Sequence, residues 1–384
     1  MPPRYKNIIK HVIIPIIIIY ILCHIIYSTY RLYHVDDTRI SFSNVKDGPL
    51  LLKSGKNIKK KGNIIEAIGY GKLGSFDHNK KRPKIVKPKF NNIVPKLTSS
   101  AKTKVLKTAK NILEKYQNRT FVYFTMINKA YERMTLNWIC NTAMMETVHP
   151  RTLIIAMEAS TCSNIHSQWE DTITCIDIGI DNYDSGYDWG NQQYINLLTL
   201  RANIMLELVN ADIPFILFET DAVWFKDPIA LFKNQTEEWN YEDVDIVVPI
   251  KGYDGGKSDK LAFDPMMVLP TNGSKLFFGD MVEKLRKDKK AYDQDIMNDM
   301  CSSQHNGLIC RQFDYSDIAD GKWFKMDPTE RTIPYIVNNN FNTGSKNKET
   351  RQSLNGFWFL AIRSNQCVIS KINHFMTKYG HGLL

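Results

Sequence analysis

A short apolar run that ends in two acidic residues limits how this chain can fold. Residues 213–218 are apolar throughout, and Glu219 and Asp221 follow directly. A run of this length between polar breakers predicts a buried β-strand. Side chains two residues apart on an extended chain point the same way. Because an unpaired buried carboxylate is costly, we expect the two acids either to converge on one divalent cation or to meet water or a lysine at a solvated strand end.

Similar apolar runs recur after residue 120 and alternate with helical patterns. Strands are predicted over residues 121–126, 152–157, 173–178, 213–218 and 245–249, and helices around residues 136–144 and over 194–209. Strands that alternate with helices predict a Rossmann-like, mainly parallel α/β sheet flanked by helices, in a single domain. Ligands of such sheets bind outside the carboxyl ends of the strands, where Glu219 and Asp221 lie. A further helix is predicted over about residues 99–116, before this domain.

The positive charge of the chain lies in its N-terminal third. Residues 31–118 hold 18 lysines, 3 arginines and 6 acidic residues, whereas residues 119–384 carry a net charge of −8. This composition predicts a basic, flexible stem. No interleaved aromatic pattern or nucleic-acid motif accompanies the lysines, so we expect no nucleic-acid partner. A membrane-tethered protein that acts on other anionic partners through this stem is an alternative.

The segment before the stem is long and apolar. Residues 12–30 are almost wholly apolar, and three basic residues precede them without any acid. This length approaches the roughly 20 residues that a bilayer-spanning helix needs, and the charges before it predict a cytosolic N-terminus. We therefore expect a cytoplasmic tail over residues 1–10, a signal anchor that crosses the lipid bilayer over 11–30, a stem over 31–118 and a lumenal domain over 119–384. A cleaved signal peptide is the alternative.

The cysteines agree with a lumenal domain. Apart from Cys23 in the apolar segment, six cysteines lie in the acidic part of the chain. An even number suits disulfide bonding in an oxidising compartment, with about 15 pairings open. Short separations favour the pairs Cys162–Cys175 and Cys301–Cys310. Three Asn-x-Ser/Thr sequons, at residues 118, 234 and 272, point to the same compartment.

Three segments of the chain together resemble one family. Residues 212–228 read DIPFILFETDAVWFKDP, residues 292–298 read YDQDIMN, and residues 338–344 read NNNFNTG. They resemble the nucleotide-diphospho-sugar transferases, which are type II Golgi membrane enzymes with a GT-A fold. The resemblance covers nearly all of residues 119–384 and none of the stem. It implies that residues 119–384 form a glycosyltransferase catalytic domain.

The resemblance implies a metal site at the acidic pair. Asp221 and Glu219 would bind Mn²⁺ or Mg²⁺, which in turn would hold the diphosphate of a nucleotide-sugar donor, a UDP-sugar. The family usually has aspartate at the position of Glu219, so direct and water-mediated binding by Glu219 both stay open. Many GT-A enzymes add a histidine near residues 338–340, where this chain has three asparagines, and the third ligand is therefore unassigned.

The resemblance also implies where the donor lies. Thr125 and Asn128, at the end of the first predicted strand, match the base-binding corner of the family. Arg201, in the helix before the acidic pair, would face the donor, and its alternative is an ordinary surface arginine. A further group of residues would close over the donor from the C-terminal side: Asn339, Asn340, Gly344 and Lys348. A solvated helix surface is the alternative for Lys348.

The Asp-Gln-Asp segment implies the reacting end of the site. Asp293 would accept hydrogen bonds from sugar hydroxyls, Gln294 would lie near the anomeric carbon, and Asn298 would hold the helix in place. Asp293 could also simply cap a helix that starts at Gln294. Asp264 is the alternative catalytic carboxylate if the reaction inverts the anomeric configuration.

These expectations describe a metal-dependent glycosyltransferase. It would move a sugar from a UDP-sugar to a hydroxyl of a glycan or glycoprotein, with retention of configuration. The alternative is a catalytically inactive lumenal binding protein with the same fold.

Overall fold

The computed structural model describes residues 94–115, 121–169, 172–180, 183, 185–187, 191–232, 244–252 and 260–380. The expected cytoplasmic tail, the signal anchor and the stem up to residue 93 lie outside these residues. Within the described ranges, no helix is long and apolar enough to cross a membrane. The described residues form one compact unit.

Helices and strands alternate through the first half of this unit. The helices longer than one turn are α1 (Ser99–Glu114), α2 (Glu132–Thr142), α3 (Ala159–Trp169), α4 (Gln192–Asn210), α5 (Asn272–Lys287), α6 (Asp293–Ser302), α7 (Ser345–Leu354) and α8 (Ile369–Phe375). The strands are β1 (Val122–Ile127), β2 (Thr152–Ala156), β3 (Thr174–Asp177), β4 (Phe215–Leu217), β5 (Val223–Trp224), β6 (Ile246–Pro249), β7 (Met266–Val268), β8 (Cys310–Phe313), β9 (Ile318–Ala319) and β10 (Ile336–Val337). The predicted strands and helices are confirmed, with ends that differ by one to a few residues.

The main sheet has seven strands in the order β3-β2-β1-β4-β7-β6-β8. Strands β3, β2, β1 and β4 are parallel neighbours, as β6 and β8 are, whereas β7 runs antiparallel to both β4 and β6. The prediction of a mainly parallel sheet is therefore confirmed. A second sheet, of β5, β10 and β9, was not predicted.

Parallel pairing brings the ends of β1 and β4 to one edge of the sheet. Phe124 pairs with Leu217, and the Phe218 amide donates to the Phe124 carbonyl at 3.0 Å. Asn128 and Glu219, which follow these strands, therefore lie at the same edge. Apart from Thr125, these two strands are apolar on both faces, as expected for a sheet covered on both sides. Tyr123 packs into the core on one face and Phe124 into the core on the other.

Helix α1 is part of this unit. Thr98 caps it, since its hydroxyl accepts from the Ala101 amide at 3.1 Å. Val105, Ala109 and Ile112, spaced by three or four residues, are buried against β1, β2, β3 and α4. The predicted helix before the globular domain is thus confirmed, and the core includes residues upstream of the expected boundary at 119.

Three disulfides link the described segments. Cys162–Cys175 and Cys301–Cys310 confirm the two pairs that short separation favours, and Cys140–Cys367 joins α2 to the segment before α8. One smaller expectation is wrong. Met144, included in the apolar pattern of the second predicted helix, lies beyond the end of α2 and is 55% exposed.

Candidate active site

A cleft opens at the sheet edge where β1 and β4 end. Six residues line it along its whole length: Tyr131, Tyr187, Tyr194, Arg201, Glu219 and Lys348. At one end, the Asn128 end, Thr125 and Asn128 join them. At the other, the Asp293 end, Asp264, Asp293, Gln294, Asn340 and Gly344 join them. Most of the site residues predicted from sequence therefore meet in one cleft, although they come from segments more than 200 positions apart.

The Asn128 end presents a buried polar corner. Thr125 and Asn128 are 2% and 5% exposed. The Asn128 amide nitrogen donates to the Ser185 carbonyl at 2.9 Å, while its side-chain oxygen accepts no hydrogen bond from the part of the chain that the structure describes. A buried acceptor without a donor is costly. This corner is therefore suited to a ligand that brings its own N–H or O–H donor.

Arg201 joins the two acidic segments of the cleft. Its guanidinium donates to Glu219 Oε1 at 3.0 Å and to Asp293 Oδ2 at 2.6 Å, and it stacks on the Phe263 ring at 5.0 Å. The side chain is only 10% exposed, so the alternative of a surface arginine is wrong. Helix α4 places it there because Arg201 lies on the helix face that carries Tyr194 and Leu198, two turns and one turn earlier.

Arg201 affects the two carboxylates differently. Burial raises the pKa of Glu219, but the nearby Arg201 and Lys348 charges outweigh it, so the pKa of Glu219 lies below its ordinary value. Asp293 is more deeply enclosed, and burial raises its pKa despite the ion pair with Arg201. Because the pKa of Arg201 is raised by both acids although burial opposes this, the guanidinium stays charged.

Asp221 lies just beneath the cleft surface. It is 2% exposed, and its carboxylate accepts a hydrogen bond from Lys348 Nζ. Burial raises the pKa of Asp221, and the Glu219 charge adds to this, while Lys348 opposes it. The Gln352 amide donates to the Asp221 carbonyl at 2.6 Å and thereby fixes α7 to the strand end. Lys348 is therefore a buried partner of the acidic pair and does not lie on a solvated helix surface.

The start of α6 decides between the two interpretations of Asp293. The helix begins at Asp293 itself, so the alternative that Asp293 caps a helix starting at Gln294 is wrong. Its Oδ1 accepts from the adjacent Gln294 amide at 2.8 Å, while Oδ2 binds Arg201. Asn298 holds the helix in place, as expected: its side chain exchanges hydrogen bonds with the backbone N–H and C=O of Leu261, at 2.8 and 2.9 Å. Asp293 and Gln294 therefore face the cleft from a helix end that is fixed at two points.

The residues 339–344 divide between the cleft and its support. Asn340 and Gly344 line the cleft. Asn339 does not, because it is fully buried and its side chain accepts from Arg351 Nε at 2.6 Å and donates to the Lys348 carbonyl at 3.2 Å. Arg351 also donates to the Asn340 carbonyl at 2.6 Å and stacks on Phe324. Arg351 and Asn339 therefore shape this segment from beneath.

The sequence interpretation missed the aromatic wall of the cleft. Tyr131, Tyr187 and Tyr194 line both ends, and Lys348 Nζ lies 5.7 Å from the centre of the Tyr131 ring. Tyr131 follows Asn128 by three residues, and Tyr194 precedes Arg201 by seven on the same helix. These positions relative to Asn128 and Arg201 are compatible with lining the cleft. Tyrosines at helical spacing are equally compatible with an ordinary hydrophobic core, so the sequence alone does not distinguish the two.

The acidic residues at this edge fit a hard divalent cation in part. Glu219 and Asp221 supply the oxygen donors that such an ion prefers. In the described part of the chain, no cluster of three or more His, Cys, Asp or Glu side chains could hold a metal. Burial, and then Glu219 and Asp221, raise the pKa of Asp264 well above its usual value, so negative charge is in excess here. A cation with two protein ligands and further oxygens from water or phosphate is compatible with this site.

In a parallel α/β sheet, ligands bind outside the carboxyl ends of the strands, which is where this charged cleft lies. Residues 147–352 match the profile of the nucleotide-diphospho-sugar transferases. The chain belongs to this family, and it is therefore a glycosyltransferase that uses a nucleotide-sugar donor. The matched range includes the acidic pair, the Asp-Gln-Asp segment and Lys348.

Characterised relatives and solved structures are distant. The chain is 20% identical over 251 residues to the UDP-D-xylose:L-fucose alpha-1,3-D-xylosyltransferase MGP4 of Arabidopsis thaliana, covering 62% of this chain and 69% of the relative. A second xylosyltransferase of the same plant is 20% identical over 256 residues, covering 62% and 68%. The galactosyltransferase LgtC, solved with donor and acceptor sugar analogues, is 11% identical with a TM-score of 0.43, covering 63% of this chain and 97% of LgtC. The glycosyltransferase GlyE of Streptococcus pneumoniae TIGR4 is 11% identical with a TM-score of 0.42, covering 68% and 64%.

Proposed function

We propose that this protein is a metal-dependent, retaining glycosyltransferase of the GT-A type. It transfers a sugar from a UDP-sugar to a hydroxyl of a glycan or glycoprotein in the lumen of the Golgi, where a type II anchor holds it. The observation that carries the proposal is the meeting of Glu219, Arg201, Asp293 and Lys348 in one cleft. The relatives named above transfer xylose from UDP-D-xylose, which makes UDP-xylose the first donor to test.

The cleft offers a separate place for each part of the donor. The base lies at the Asn128 end, where the open Asn128 oxygen receives an N–H donor of the base. The diphosphate lies midway, where Arg201 and Lys348 supply positive charge. The sugar lies at the Asp293 end. Because Arg201 binds Asp293 directly, the position of the diphosphate and the position of the sugar are coupled through one side chain.

Glu219 and Asp221 hold the cation in this proposal. A divalent ion there would neutralise the charge that develops on the departing diphosphate. Lys348 is held by Asp221 and faces the cleft, so it is placed to contact the diphosphate once Asp221 has another partner. Preorganised positive charge of this kind lowers the barrier without reorganisation during the reaction.

Asp293 and Gln294 orient the sugar. The ionised Asp293 accepts hydrogen bonds from sugar hydroxyls, and Arg201 fixes the direction of its carboxylate. Gln294 lies beside the anomeric carbon, and its neutral amide stabilises positive charge there through its oxygen. Such positioning favours attack from the side on which the diphosphate leaves, which retains the configuration. An NMR assignment of the product anomer tests this, and an inverted product rules the retaining mechanism out.

The compartment is a proposal as well. Three disulfides in the described residues suit an oxidising lumen. Protease protection of the catalytic domain in intact Golgi vesicles, with exposure after detergent, is the expected result. A domain that proteases cleave without detergent contradicts the proposed topology.

The function is tested with purified full-length protein, Mn²⁺ and a panel of UDP- and GDP-sugars, with donor hydrolysis and transfer as readouts. Asp221→Asn should lower turnover at saturating Mn²⁺ by at least about 100-fold, since it removes a charge at the leaving group. Asp299→Asn, an exposed carboxylate of α6, is the matched control. Full activity of Asp221→Asn removes the metal assignment. Tight UDP binding by the wild type without any turnover favours the inactive binding protein.

A further inference from the structure

An exposed aromatic side chain lies at the rim of the cleft. Phe341 lines the Asp293 end but not the Asn128 end, so it lies near the place proposed for the sugar and away from the base. It is 46% exposed. The tip of its ring lies against Gly252, where an added Cβ would be 3.8 Å from Phe341 Cζ. Within the ranges that the structure describes, no other aromatic ring stacks on it and no cation lies over it.

The backbone of Phe341 has a conformation that is uncommon for this residue type. Its φ is 55°, in the left-handed region, where asparagine is enriched and bulky side chains are rare. The chain has asparagine at residues 340 and 342 and phenylalanine between them. Such a conformation costs free energy and persists only where the surrounding structure imposes it. Backbone stability therefore does not account for an aromatic residue at this position.

Hydrogen bonds on both sides hold Phe341 in this conformation. The Asn340 carbonyl accepts from Arg351 at 2.6 Å, and the Asn340 side-chain oxygen accepts from the Gly321 amide at 2.6 Å. The side chain of Asn342 donates to the backbone carbonyl five residues later, at 2.9 Å. The ring is therefore held at the rim before any ligand binds.

A fixed, exposed ring beside polar side chains is suited to binding a sugar. The face of an aromatic ring carries partial negative charge, which attracts the weakly positive C–H groups on one face of a sugar ring. Asn342 and Thr343 line the same end of the cleft and offer an amide and a hydroxyl to sugar hydroxyls. Because the ring is already held in place, binding costs little further conformational entropy.

The depth of the cleft distinguishes the two sugars of the reaction. Arg201 and Asp293, which orient the donor sugar in the proposed function, have side chains that are only 10% and 6% exposed. The donor sugar therefore lies deep in the cleft, whereas Phe341 lies at its rim. The acceptor has to bring its hydroxyl to the anomeric carbon of the donor, so it approaches through this end and past this ring.

We propose that Phe341 binds the acceptor by stacking on its sugar ring. The acceptor is accordingly a sugar residue of a glycan and not a hydroxyl side chain of a polypeptide. This inference rests on the proposed function, and it assigns the acceptor class that the proposed function leaves open.

Transfer assays with the purified full-length protein test the inference. The donor is the UDP-sugar that the wild type hydrolyses fastest with Mn²⁺. The acceptors are the methyl glycosides of L-fucose, D-galactose, D-glucose, D-mannose and D-xylose, together with a peptide that contains serine and threonine. We expect transfer to at least one methyl glycoside.

Variants of Phe341 separate acceptor binding from donor binding. Phe341→Ala should raise the KM for that glycoside by about 10-fold, because the stacked contact is lost. Its rate of donor hydrolysis and its affinity for UDP with Mn²⁺ should stay within about twofold of the wild type. Phe341→Trp should keep the wild-type KM, since it supplies an aromatic face of the same kind. The control is Leu276→Ala, because Leu276 is 51% exposed on α5 and lines neither end of the cleft.

Fluorescence gives a readout that does not depend on turnover. With UDP and Mn²⁺ bound, the glycoside should change the tryptophan emission of Phe341→Trp more than that of the wild type, because the added indole contacts the sugar. Circular dichroism and UDP binding confirm that each variant is folded. If Phe341→Ala is not folded, the fluorescence of Phe341→Trp carries the test.

Three results overturn the inference. An unchanged KM for the acceptor in Phe341→Ala, or equal fluorescence changes in Phe341→Trp and the wild type, shows that the ring does not bind the acceptor. A raised KM for the donor alone shows that Phe341 binds the donor sugar instead. Donor hydrolysis with transfer only to the peptide, or to no member of the panel, shows that the acceptor class is wrong. Failure of the proposed function is distinct from these, since the wild type and Leu276→Ala would then neither hydrolyse nor transfer any nucleotide sugar.

Discussion

The pair of Lys348 and Asp221 provides a direct test of the proposed cation site. Their side chains are 13% and 3% exposed, so the pair is almost fully removed from solvent. Lys348→Met keeps most of the apolar stem of the side chain and removes the charge. Removing one partner of a buried ion pair costs about 3–5 kcal/mol. For a domain of this size we expect a loss of about 6–10 °C in Tm when EDTA is present.

Adding Mn²⁺ should reverse part of this loss. In the wild type a cation at Asp221 has to displace Lys348, whereas in the variant the carboxylate is open. Since a ligand of the native state stabilises it in proportion to the logarithm of its concentration over Kd, Mn²⁺ should raise the Tm of Lys348→Met more than that of the wild type.

Differential scanning calorimetry over a Mn²⁺ titration measures both effects. Lys346→Met is the matched control, because Lys346 is exposed two residues earlier on α7, and it should behave as the wild type does. If Lys348→Met has the wild-type Tm in EDTA, the buried pair contributes nothing. If Mn²⁺ raises all three Tm values equally, the ion does not compete with Lys348 and binds elsewhere.

Three further expectations concern the rest of the domain. Burial lowers the pKa of His149 to about 4, whereas the unfolded residue takes up a proton near pH 6.5. The free energy of unfolding should therefore fall by about 3 kcal/mol as the pH drops from 6.5 to 4. Urea unfolding of His149→Gln should lack this pH dependence, and the same pH dependence in the variant contradicts a buried, neutral His149. The disulfide Cys140–Cys367 spans 227 residues, whereas Cys301–Cys310 spans 9. Replacing both cysteines of the long pair by alanine should lower the free energy of unfolding by about 5 kcal/mol, and replacing those of the short pair by about 3 kcal/mol. If calorimetry finds the larger loss for the short pair, the loop-entropy argument is wrong. Asn272 is exposed at the start of α5, beyond the end of β7 that lies beside the start of β4, and hence at the edge opposite the cleft. If the domain is lumenal as proposed, we expect a glycan on Asn272, detected by mass spectrometry after enzymatic deglycosylation, and unchanged transfer by Asn272→Gln. Unmodified Asn272 in secreted or Golgi-derived material contradicts this expectation.

Local patterns were enough to predict the framework of this domain. Apolar runs of five or six residues between breakers predicted β1, β2 and β4, because a strand buried on both faces carries mostly apolar side chains. Helix α1 was predictable for a similar reason, since its apolar residues recur at helical spacing. The two short disulfides were predictable because their cysteines lie only 13 and 9 residues apart in the sequence. The motif at Glu219 and the Asp-Gln-Asp segment predicted the two acidic sides of the cleft, which are lined by Glu219 and Asp293.

The pairing between these walls was not predictable. Arg201 meets Asp293 across 92 residues of chain, and Lys348 meets Asp221 across 127, so no local spacing reports either contact. The tyrosines that line the cleft were not predicted, because an aromatic residue at helical spacing is equally compatible with a hydrophobic core. Asn339 matched the donor segment by sequence, but its bonds to Arg351 and Lys348 are made beneath the cleft. Its role depends on a fold of the loop that composition does not encode.

Helix α1 has a mechanical consequence if the proposed membrane anchor tethers the enzyme. Any tension on the chain before residue 94 reaches α1 first, because α1 precedes β1 in the chain. The helix is held broadside by Val105, Ala109 and Ile112 and at its flank by the Lys104–Asp177 pair at 2.9 Å. A force on the chain therefore has to detach α1 from the sheet before it can distort β1. Asn128, at the cleft, follows the last residue of β1. With such an anchor, a pull on the chain before residue 94 would have to detach α1 before it could distort the cleft.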